Sequence, residues 1–316
     1  MASFNGSREA FTAALLDLAA SDRRIVLVLA DSLKAMRATP FAERYPDRVF
    51  DVGIAEQNAV GVAAGLASCG LIPYVATYAG FITMRACEQL RTFVAYPGLP
   101  VRFVGANGGI FAGEREGVTH QFFEDLGIAR TIPGLAVVVP ADDGQTYGAT
   151  KALAYIEGPA YLRVGSGTEP RVFAADEPFH LGKARVLRED GRDVAILVTG
   201  FVTGRALAAA DTLARDGIGA TLVEVGTLKP LDGDTLEPIL RQTGAAVTVE
   251  DHNTIGGLGS AVTELACDRC PVPVERVGLR DVYPESGEAD ALLDAYGMGV
   301  SDIVAAAHRA MARSSG

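Results

Sequence analysis

The sequence predicts an α/β protein of two domains, each a mainly parallel sheet flanked by helices. Short runs rich in β-branched residues alternate with helical patterns along the whole chain. Such alternation is typical of parallel sheets that are covered on both faces. The 316 residues suffice for about two domains of roughly 150 residues each, and a hydrophobic content of 49% suffices for packed cores.

The first alternation fills the N-terminal half of the chain. An N-terminal helix comes first, and the strand patterns that follow span residues 25–30, 50–54, 71–78, 101–106, 136–140 and 160–165. Helical patterns span residues 56–69 and 82–96, and a short helix is predicted to begin at His120. A further helix is opened by Asp142 or Asp143 as its N-cap.

Residues 165–181 have no clear period and contain two prolines, which indicates a linker. We therefore place the domains at residues 1–168 and 185–316, with the linker at 169–184. In the second domain, the strand patterns span residues 193–200, 219–225, 245–251 and 272–278. They alternate with helical patterns and predict a second, smaller α/β unit.

Charge and composition exclude several classes of function. The chain has 28 Lys and Arg against 39 Asp and Glu, a net charge of -11, which disfavours nucleic acid or an anionic membrane surface as partner. The N-terminus lacks the basic-then-apolar order of a secretory signal. Gly65, Gly70, Pro73 and Gly80 break the uncharged run 57–84 into elements shorter than the ~20 residues of a membrane span.

The cysteines favour a reducing, cytoplasmic setting, because four in a chain of this length do not suggest a disulfide scaffold. Cys267 and Cys270 form a single CxxC pattern near a predicted helix end. Without a second pair or a thioredoxin-like context, chance explains this pattern best.

Glu56 is the most conspicuous single residue. It precedes a long apolar stretch, with no formal charge until Arg85, and it lies where a predicted strand passes into a helix. In open α/β sheets, ligands bind beside the carboxyl ends of the strands. Position and pattern alone nevertheless fit a first-turn carboxylate favoured by the helix dipole at least as well.

Longer motifs give this residue a context. The first domain contains, in order, DVGIAEQNAVGVAAGLA, PYVATYAGF, RACEQLR and GEREGVTHQFFEDLGIARTIPGLAVVVPAD, and the second contains GTLKPLD, VTVEDHNTIGGLGSAV and VPVERVGL. These resemble the pyrimidine-binding and C-terminal domains of transketolases and of 1-deoxyxylulose-5-phosphate synthases. The resemblance covers nearly the whole chain. It implies a thiamine-diphosphate-dependent transferase that moves a two-carbon ketol unit from a ketose donor to an aldose acceptor.

The resemblance implies a catalytic role for Glu56 on the cofactor. In these enzymes the corresponding glutamate hydrogen-bonds N1′ of the aminopyrimidine and promotes the imino tautomer, whose exocyclic nitrogen removes the proton from C2 of the thiazolium. Such a carboxyl group must share a proton near neutral pH, which an apolar surrounding favours. The uncharged run after Glu56 supplies such a surrounding.

The resemblance also implies an aromatic wall against the aminopyrimidine. Phe81 is the best candidate, with Tyr78 behind it, although core packing explains both residues about equally well. Cys87 stands where related split enzymes commonly have an aromatic residue. Arg85 either stacks on the cofactor or pairs with an acid across an interface.

The substrate side of the site contains a histidine and an acid. His120 lies in GVTHQ, which resembles the GPTHQ or GQTHQ segment whose histidine faces the substrate and assists proton movement at its oxygens. Glu116 replaces the aspartate that reads the donor's hydroxyl. The surrounding GEREGV is one residue longer than the usual stretch. Both departures predict a reshaped donor pocket.

Three positions correspond to the family's contacts with phosphate. Asn107 stands where transketolases commonly have a histidine and the deoxyxylulose synthases an arginine, so it brings no charge. Arg163 and Arg8 match phosphate-contacting arginines of the family, with a surface or linker ion pair as the alternative for each. We expect sugar or sugar-phosphate substrates whose anionic end is recognised less strongly.

One half of the expected cofactor site is missing from the sequence. In this family a GDG motif and a later asparagine hold the diphosphate and Mg²⁺ in a separate domain. The nearest string, LDGDT at residues 231–235, lies in the second domain. The resemblance therefore implies no metal site on this chain and a separately encoded N-terminal partner that supplies the diphosphate and Mg²⁺ ligands. Two copies of each subunit are expected, because such sites form between chains.

Three alternatives remain at this stage. The β subunit of the decarboxylating component of 2-oxo acid dehydrogenases shares the architecture and the glutamate, but the VTHQ segment argues for the transketolase side. A deoxyxylulose-synthase-like carboligase would release CO₂ from a 2-oxo acid. A cofactor-free assembly subunit is the third, and the presence of Glu56 and His120 weighs against it.

Overall fold

The computed structural model describes residues 4–110, 116–165, 171–174 and 178–314. The strands are β1 Ile25–Leu29, β2 Val49–Asp51, β3 Ile72–Tyr78, β4 Arg102–Ala106, β5 Ala136–Val138, β6 Ala160–Val164, β7 Arg185–Glu189, β8 Val194–Val198, β9 Ala220–Glu224, β10 Thr227–Lys229, β11 Ala246–Asn253 and β12 Val274–Leu279. The helices are α1 Ser7–Ser21, α2 Thr39–Arg44, α3 Glu56–Ser68, α4 Cys87–Gln89, α5 Asp125–Thr131, α6 Asp143–Leu153, α7 Thr203–Arg215, α8 Gly233–Thr243, α9 Leu258–Arg269, α10 Ala289–Ala295 and α11 Val300–Ser314.

The first sheet has seven strands in the order β10-β5-β6-β4-β3-β1-β2. Strands β1 to β6 pair in parallel. Every residue of β1, β4 and β6 is buried, as expected for strands with helices on both faces. The parallel pairing brings the carboxyl ends of β3, β4 and β6 to one edge, where the candidate site lies.

The second sheet has five strands in the order β12-β11-β8-β9-β7, with β7 antiparallel at one edge. The predicted fold class, two domains of mainly parallel sheets flanked by helices, is confirmed. The bounds predicted for the domains and linker stay predictions, and linker residues 169–170 and 175–177 lie outside the described residues. The two sheets are not independent, because β10 belongs to the second half of the chain yet pairs with β5.

Two predicted elements differ in the structure. The helix expected to begin at His120 begins instead at Asp125, and the segment before it forms a short 3₁₀ turn, Gly117–Thr119. Phe122 bridges to the backbone of Gly108 and Gly109, and this extended pairing prevents helix there. The N-cap of α6 is Asp142, whose side chain accepts from the Gln145 amide, as one of the two sequence alternatives predicted.

The helical pattern of residues 82–96 is also not one regular helix. It consists of α4 between two π-helical turns, Phe81–Arg85 and Leu90–Ala95. π-helical turns are rare in proteins overall, but those that do occur are frequently found at functional sites. Among the helices of the described residues, none is long and apolar enough to cross a bilayer.

Candidate active site

Glu56 is the first residue of α3, five residues after β2 ends, and its side chain is buried with the residue only 2% exposed. A buried carboxylate requires a partner, because transfer from water without one is costly. Arg85 supplies it, with Nη1 donating to Oε2 of Glu56 at 2.9 Å. The two ends of the conspicuous sequence stretch therefore meet in space.

Arg85 is itself fixed on two further sides. Its guanidinium carbon lies 4.1 Å from the centroid of the Phe81 ring, a cation–π contact. The side-chain amide of Gln57 donates to the backbone oxygen of Arg85 at 3.1 Å. The acid that pairs with Arg85 is thus Glu56 of the same chain, and stacking of Arg85 on a cofactor stays a prediction.

An aromatic cluster adjoins this pair at the end of β3. The ring of Tyr78 lies 5.6 Å from that of Phe81 and 5.0 Å from that of His120. Phe81 and His120 are 5.4 Å apart. Sequence-predicted residues from two distant segments therefore share one cluster.

Phe122 completes the cluster, and its sequence context did not single it out. Its ring lies 5.2 Å from Phe81 and 6.3 Å from His120. A Cβ at Gly80 would lie 1.9 Å from Cδ1 of Phe122, so only glycine fits against this ring. The glycine just before Phe81 was the available signal.

Arg8, Asn107 and Glu116 form a second polar group. Arg8 Nη2 donates to Asn107 Oδ1, and Asn107 Nδ2 donates to Glu116 Oε2 at 3.5 Å. Asn107 directly follows β4 and has a φ of 56°, a left-handed conformation that asparagine tolerates better than most residues. Part of the longer loop before Glu116, residues 111–115, lies outside the described residues.

Arg163 is held by a different set of contacts. It is 2% exposed, and its Nε lies 3.1 Å from Oδ2 of Asp125. Its Nη1 donates to the backbone oxygen of Asp251 at 2.9 Å, and its Nη2 to that of Phe122 at 3.1 Å. These contacts join the two domains, and a role for Arg163 in binding substrate stays a prediction.

Two further buried groups lie on β11, of which Glu250 holds the second domain together and His252 contacts the first domain. Glu250 accepts from the backbone amides of Leu258 and Gly259 at 2.6 and 2.7 Å, at the start of α9. Burial lowers the pKa of His252 to about 4, so this ring is neutral near pH 7. Its Nε2 accepts from the Gly127 amide at 3.3 Å.

The first aspartate of the LDGDT string, Asp232, has a structural role. Asp232 caps α8 by accepting from Thr235, and it also accepts from the Ala184 amide at 3.0 Å. Across the described part of the chain, no group of three or more His, Cys, Asp or Glu side chains is placed to hold a metal ion.

Comparisons with known proteins identify the family. The family model described as the pyrimidine binding domain of transketolase matches residues 6–167, and that of the transketolase C-terminal domain matches residues 182–303. The chain belongs to the transketolase family. Transketolases are thiamine diphosphate enzymes. The buried carboxyl of Glu56, whose partner Arg85 lies over the ring of Phe81, fits the aminopyrimidine end of that cofactor.

Two relatives of similar length are described as transketolase subunits. The 6-deoxy-6-sulfo-D-fructose transketolase subunit SqwH of Clostridium sp. (strain MSTE9) is 42% identical, with 98% of this chain and 95% of the relative aligned. An apulose-4-phosphate transketolase subunit of Phocaeicola vulgatus is 36% identical over 92% of this chain and 93% of its own. A solved structure described as a split gene transketolase, inactive beta4 tetramer, has a TM-score of 0.89 and 41% identity, covering 98% of this chain and 99% of its own.

Proposed function

We propose that this chain is the second subunit of a split transketolase, which transfers a two-carbon ketol unit from a ketose to an aldose. The observation that carries the proposal is the buried carboxylate of Glu56 at the start of α3, paired with Arg85 and next to Phe81. A buried, oriented carboxylate beside an open aromatic wall is what proton exchange with an aminopyrimidine nitrogen requires.

Each residue of the site then has a defined task. Thiamine diphosphate, when bound, supplies stabilisation of the carbanion that forms on cleavage of the ketose. Glu56 holds and returns a proton at N1′, while Phe81 and Tyr78 contact the pyrimidine ring. Arg85 holds the carboxylate in place. His120 moves a proton at the substrate's oxygens. The Mg²⁺ and diphosphate ligands belong to the partner subunit.

Exposed apolar side chains around the site support a partner. Ile54 is 74% exposed, and Met84 and Val118 are also exposed. Each lies within two residues of Glu56, Arg85 or His120 in the sequence. Exposed apolar groups rimmed by polar residues often mark interaction surfaces. Two relatives described as subunits, and a solved split gene transketolase described as an inactive beta4 tetramer, also support a separate partner subunit.

The isolated chain is expected to bind thiamine diphosphate weakly and to show no turnover, because one wall of the site is missing. Adding the N-terminal partner should restore ketol transfer in a complex with two copies of each chain. Calorimetry with the cofactor and Mg²⁺, a coupled ketol-transfer assay and light scattering measure the three properties. Tight Mg²⁺-dependent cofactor binding with turnover by the chain alone would contradict the proposal, as would CO₂ release from a 2-oxo acid by the complex.

The contacts of Arg8, Asn107 and Arg163 predict how strongly the anionic end of the substrate is bound. Arg8 is hydrogen-bonded to Asn107, while Arg163 is buried among Asp125 and backbone oxygens. Among the residues that the structure describes here, one guanidinium and a neutral amide therefore replace a more highly charged set. We expect phosphorylated acceptors to be preferred only modestly over matched unphosphorylated ones.

Arg8→Gln should lower kcat/KM for an anionic acceptor by about 10-fold, the low end for one charge-assisted hydrogen bond. For the unphosphorylated acceptor, kcat/KM should change much less. Arg91→Gln, at an exposed arginine that contacts the neighbouring Thr92, is the control. Steady-state kinetics of the reconstituted pair with both acceptors measures the effect, and a very large preference of the unmodified enzyme for phosphorylated acceptors would overturn the expectation.

A further inference from the structure

The hydroxyl of Thr119 contacts two groups beside the candidate catalytic histidine. Its Oγ1 lies 3.0 Å from Nδ1 of His120. The same oxygen lies 3.4 Å from the backbone carbonyl oxygen of Glu116, toward which it donates. Since the hydroxyl has a single hydrogen, it cannot donate to both groups at once.

Counting hydrogens decides the direction of these bonds. A threonine hydroxyl has one hydrogen to donate and two lone pairs with which to accept. The carbonyl oxygen of Glu116 can only accept, so the bond between them requires the hydrogen of Thr119. The contact with His120 is then a bond only if Nδ1 carries a hydrogen and donates it to Oγ1. Both contacts are satisfied together by this arrangement alone.

We propose that Thr119 is a positioning residue that keeps neutral His120 protonated on Nδ1, leaving the lone pair of Nε2 to accept a proton from substrate. The inference rests on the proposed function, because it names the nitrogen at which His120 acts. Among the described residues, Nε2 of His120 has no hydrogen-bond partner. A neutral histidine whose tautomer is fixed through one nitrogen acts through the other.

The ring of His120 is held on several sides, so its two nitrogens are not interchangeable. The Tyr78 ring lies perpendicular to it, at an interplanar angle of 90° and 5.0 Å between centroids. Phe81 and Phe122 stand at 5.4 and 6.3 Å. A flip of the imidazole would exchange Nδ1 for a ring carbon and lose the bond to Thr119.

The backbone turn before His120 fixes the position of the Thr119 hydroxyl. The His120 amide donates to the Gly117 oxygen at 2.9 Å, closing the 3₁₀ turn. Gly117 has a φ of 74°, which favours glycine. Glu116 and His120 flank this turn, and the Glu116 side chain accepts from Asn107.

The proton transfer balances without another reactant. A substrate O–H bond breaks, its electron pair stays on oxygen, and a new N–H bond forms at Nε2. The resulting imidazolium keeps its Nδ1–H bond to Thr119. On return, the N–H bond at Nε2 breaks and the proton goes back to a substrate oxygen.

Nitrogen NMR of the chain alone tests the tautomer and needs no activity. The chain has 4 histidines, so selective ¹⁵N-histidine labelling with His120→Gln assigns the signal. At about pH 8, we expect hydrogen on Nδ1 in the unmodified chain and in Thr119→Ser. In Thr119→Val the hydrogen should move to Nε2. Hydrogen on Nε2 of the unmodified chain would overturn the inference, whether or not the complex proves to be a transketolase.

Steady-state kinetics of this chain reconstituted with its partner subunit provides a second test of the inference. Thr119→Val, which keeps the shape but removes the hydroxyl, should lower kcat by about 10²-fold with little change in KM, the low end for a positioned general base. Thr119→Ser should restore most of the activity. Thr119 is exposed, so both variants should fold, and thermal unfolding checks this. Equal activity of the valine and serine variants would overturn the inference.

Discussion

Glu56→Gln is expected to lower kcat of the reconstituted enzyme by about 10³-fold, within the range for removal of a positioned acid–base group. Glutamine has nearly the same shape and retains hydrogen bonding to Arg85, so the start of α3 should stay intact. It cannot take up and return a proton at N1′. The loss should therefore appear in kcat, measured with saturating cofactor and partner, rather than in assembly.

A matched control separates this role from a structural one. Glu88→Gln changes an exposed glutamate on the neighbouring α4, whose side chain contacts Gln89, and should leave kcat unchanged. Arg85→Met removes the partner of Glu56 without removing the carboxyl. Full activity of Glu56→Gln would instead favour the cofactor-free assembly subunit.

Glu224, at the end of β9, gives the second large effect, on stability. It is 1% exposed, and burial is the main cause that raises its pKa from 4.5 to about 8. The nearby Gln145 amide and Arg185 act in the opposite direction but less strongly. Within the described part of the chain, Oε1 has no hydrogen-bond partner. Near neutrality the folded protein therefore keeps this carboxyl protonated.

The sign of the pH dependence follows from that shift. The pKa of Glu224 in the unfolded chain is 4.5. Below this pH the carboxyl is protonated in both the folded and the unfolded protein, and the contribution of Glu224 to stability is fully present. As pH rises the unfolded chain releases the proton first, and the contribution declines until the folded value of about 8 is reached. At ~1.4 kcal/mol per pKa unit, the loss approaches ~5 kcal/mol in the free energy of unfolding.

Glu224→Gln should remove most of this decline, because glutamine does not titrate. Urea unfolding of both proteins at about pH 5 and about pH 8, at one protein concentration, measures the difference. Glu43→Gln, at an exposed glutamate, should behave like the unmodified protein. The comparison cancels groups such as Glu250 and His252 that titrate in both proteins. Parallel pH curves for Glu224→Gln and the unmodified protein would contradict a buried, protonated Glu224.

The sequence led to the residues of the site more readily than to their connections. Glu56 was conspicuous as a lone carboxylate before an apolar run, and the strong strands β1, β4 and β8 were evident from their apolar runs. The contact between Arg8 and Asn107 spans 99 positions, and no local pattern predicts such a pair. Each residue was named singly, and their joint arrangement needed the fold.

The errors have a common physical origin. The helix expected at His120 failed because Phe122 pairs with the loop after β4, a tertiary contact that overrides local preference. Strand β10 has three residues and no period of its own, so its pairing with β5 could not be predicted. The contacts of Arg163 with Asp125 and with the second domain likewise follow no local pattern, and its role in binding substrate stays a prediction.

Strand β10 comes from the second half of the chain but belongs to the first sheet. This arrangement limits how the gene of this protein can be rearranged in evolution. Severing the coding region between the domains would remove β10 from the first sheet and leave β5 as an exposed edge strand, paired only with β6. Exposed edges invite pairing with other chains and aggregation. We therefore expect the two domains to be inherited, fused and recombined together as one unit. Other domains can be gained or lost before or after this unit.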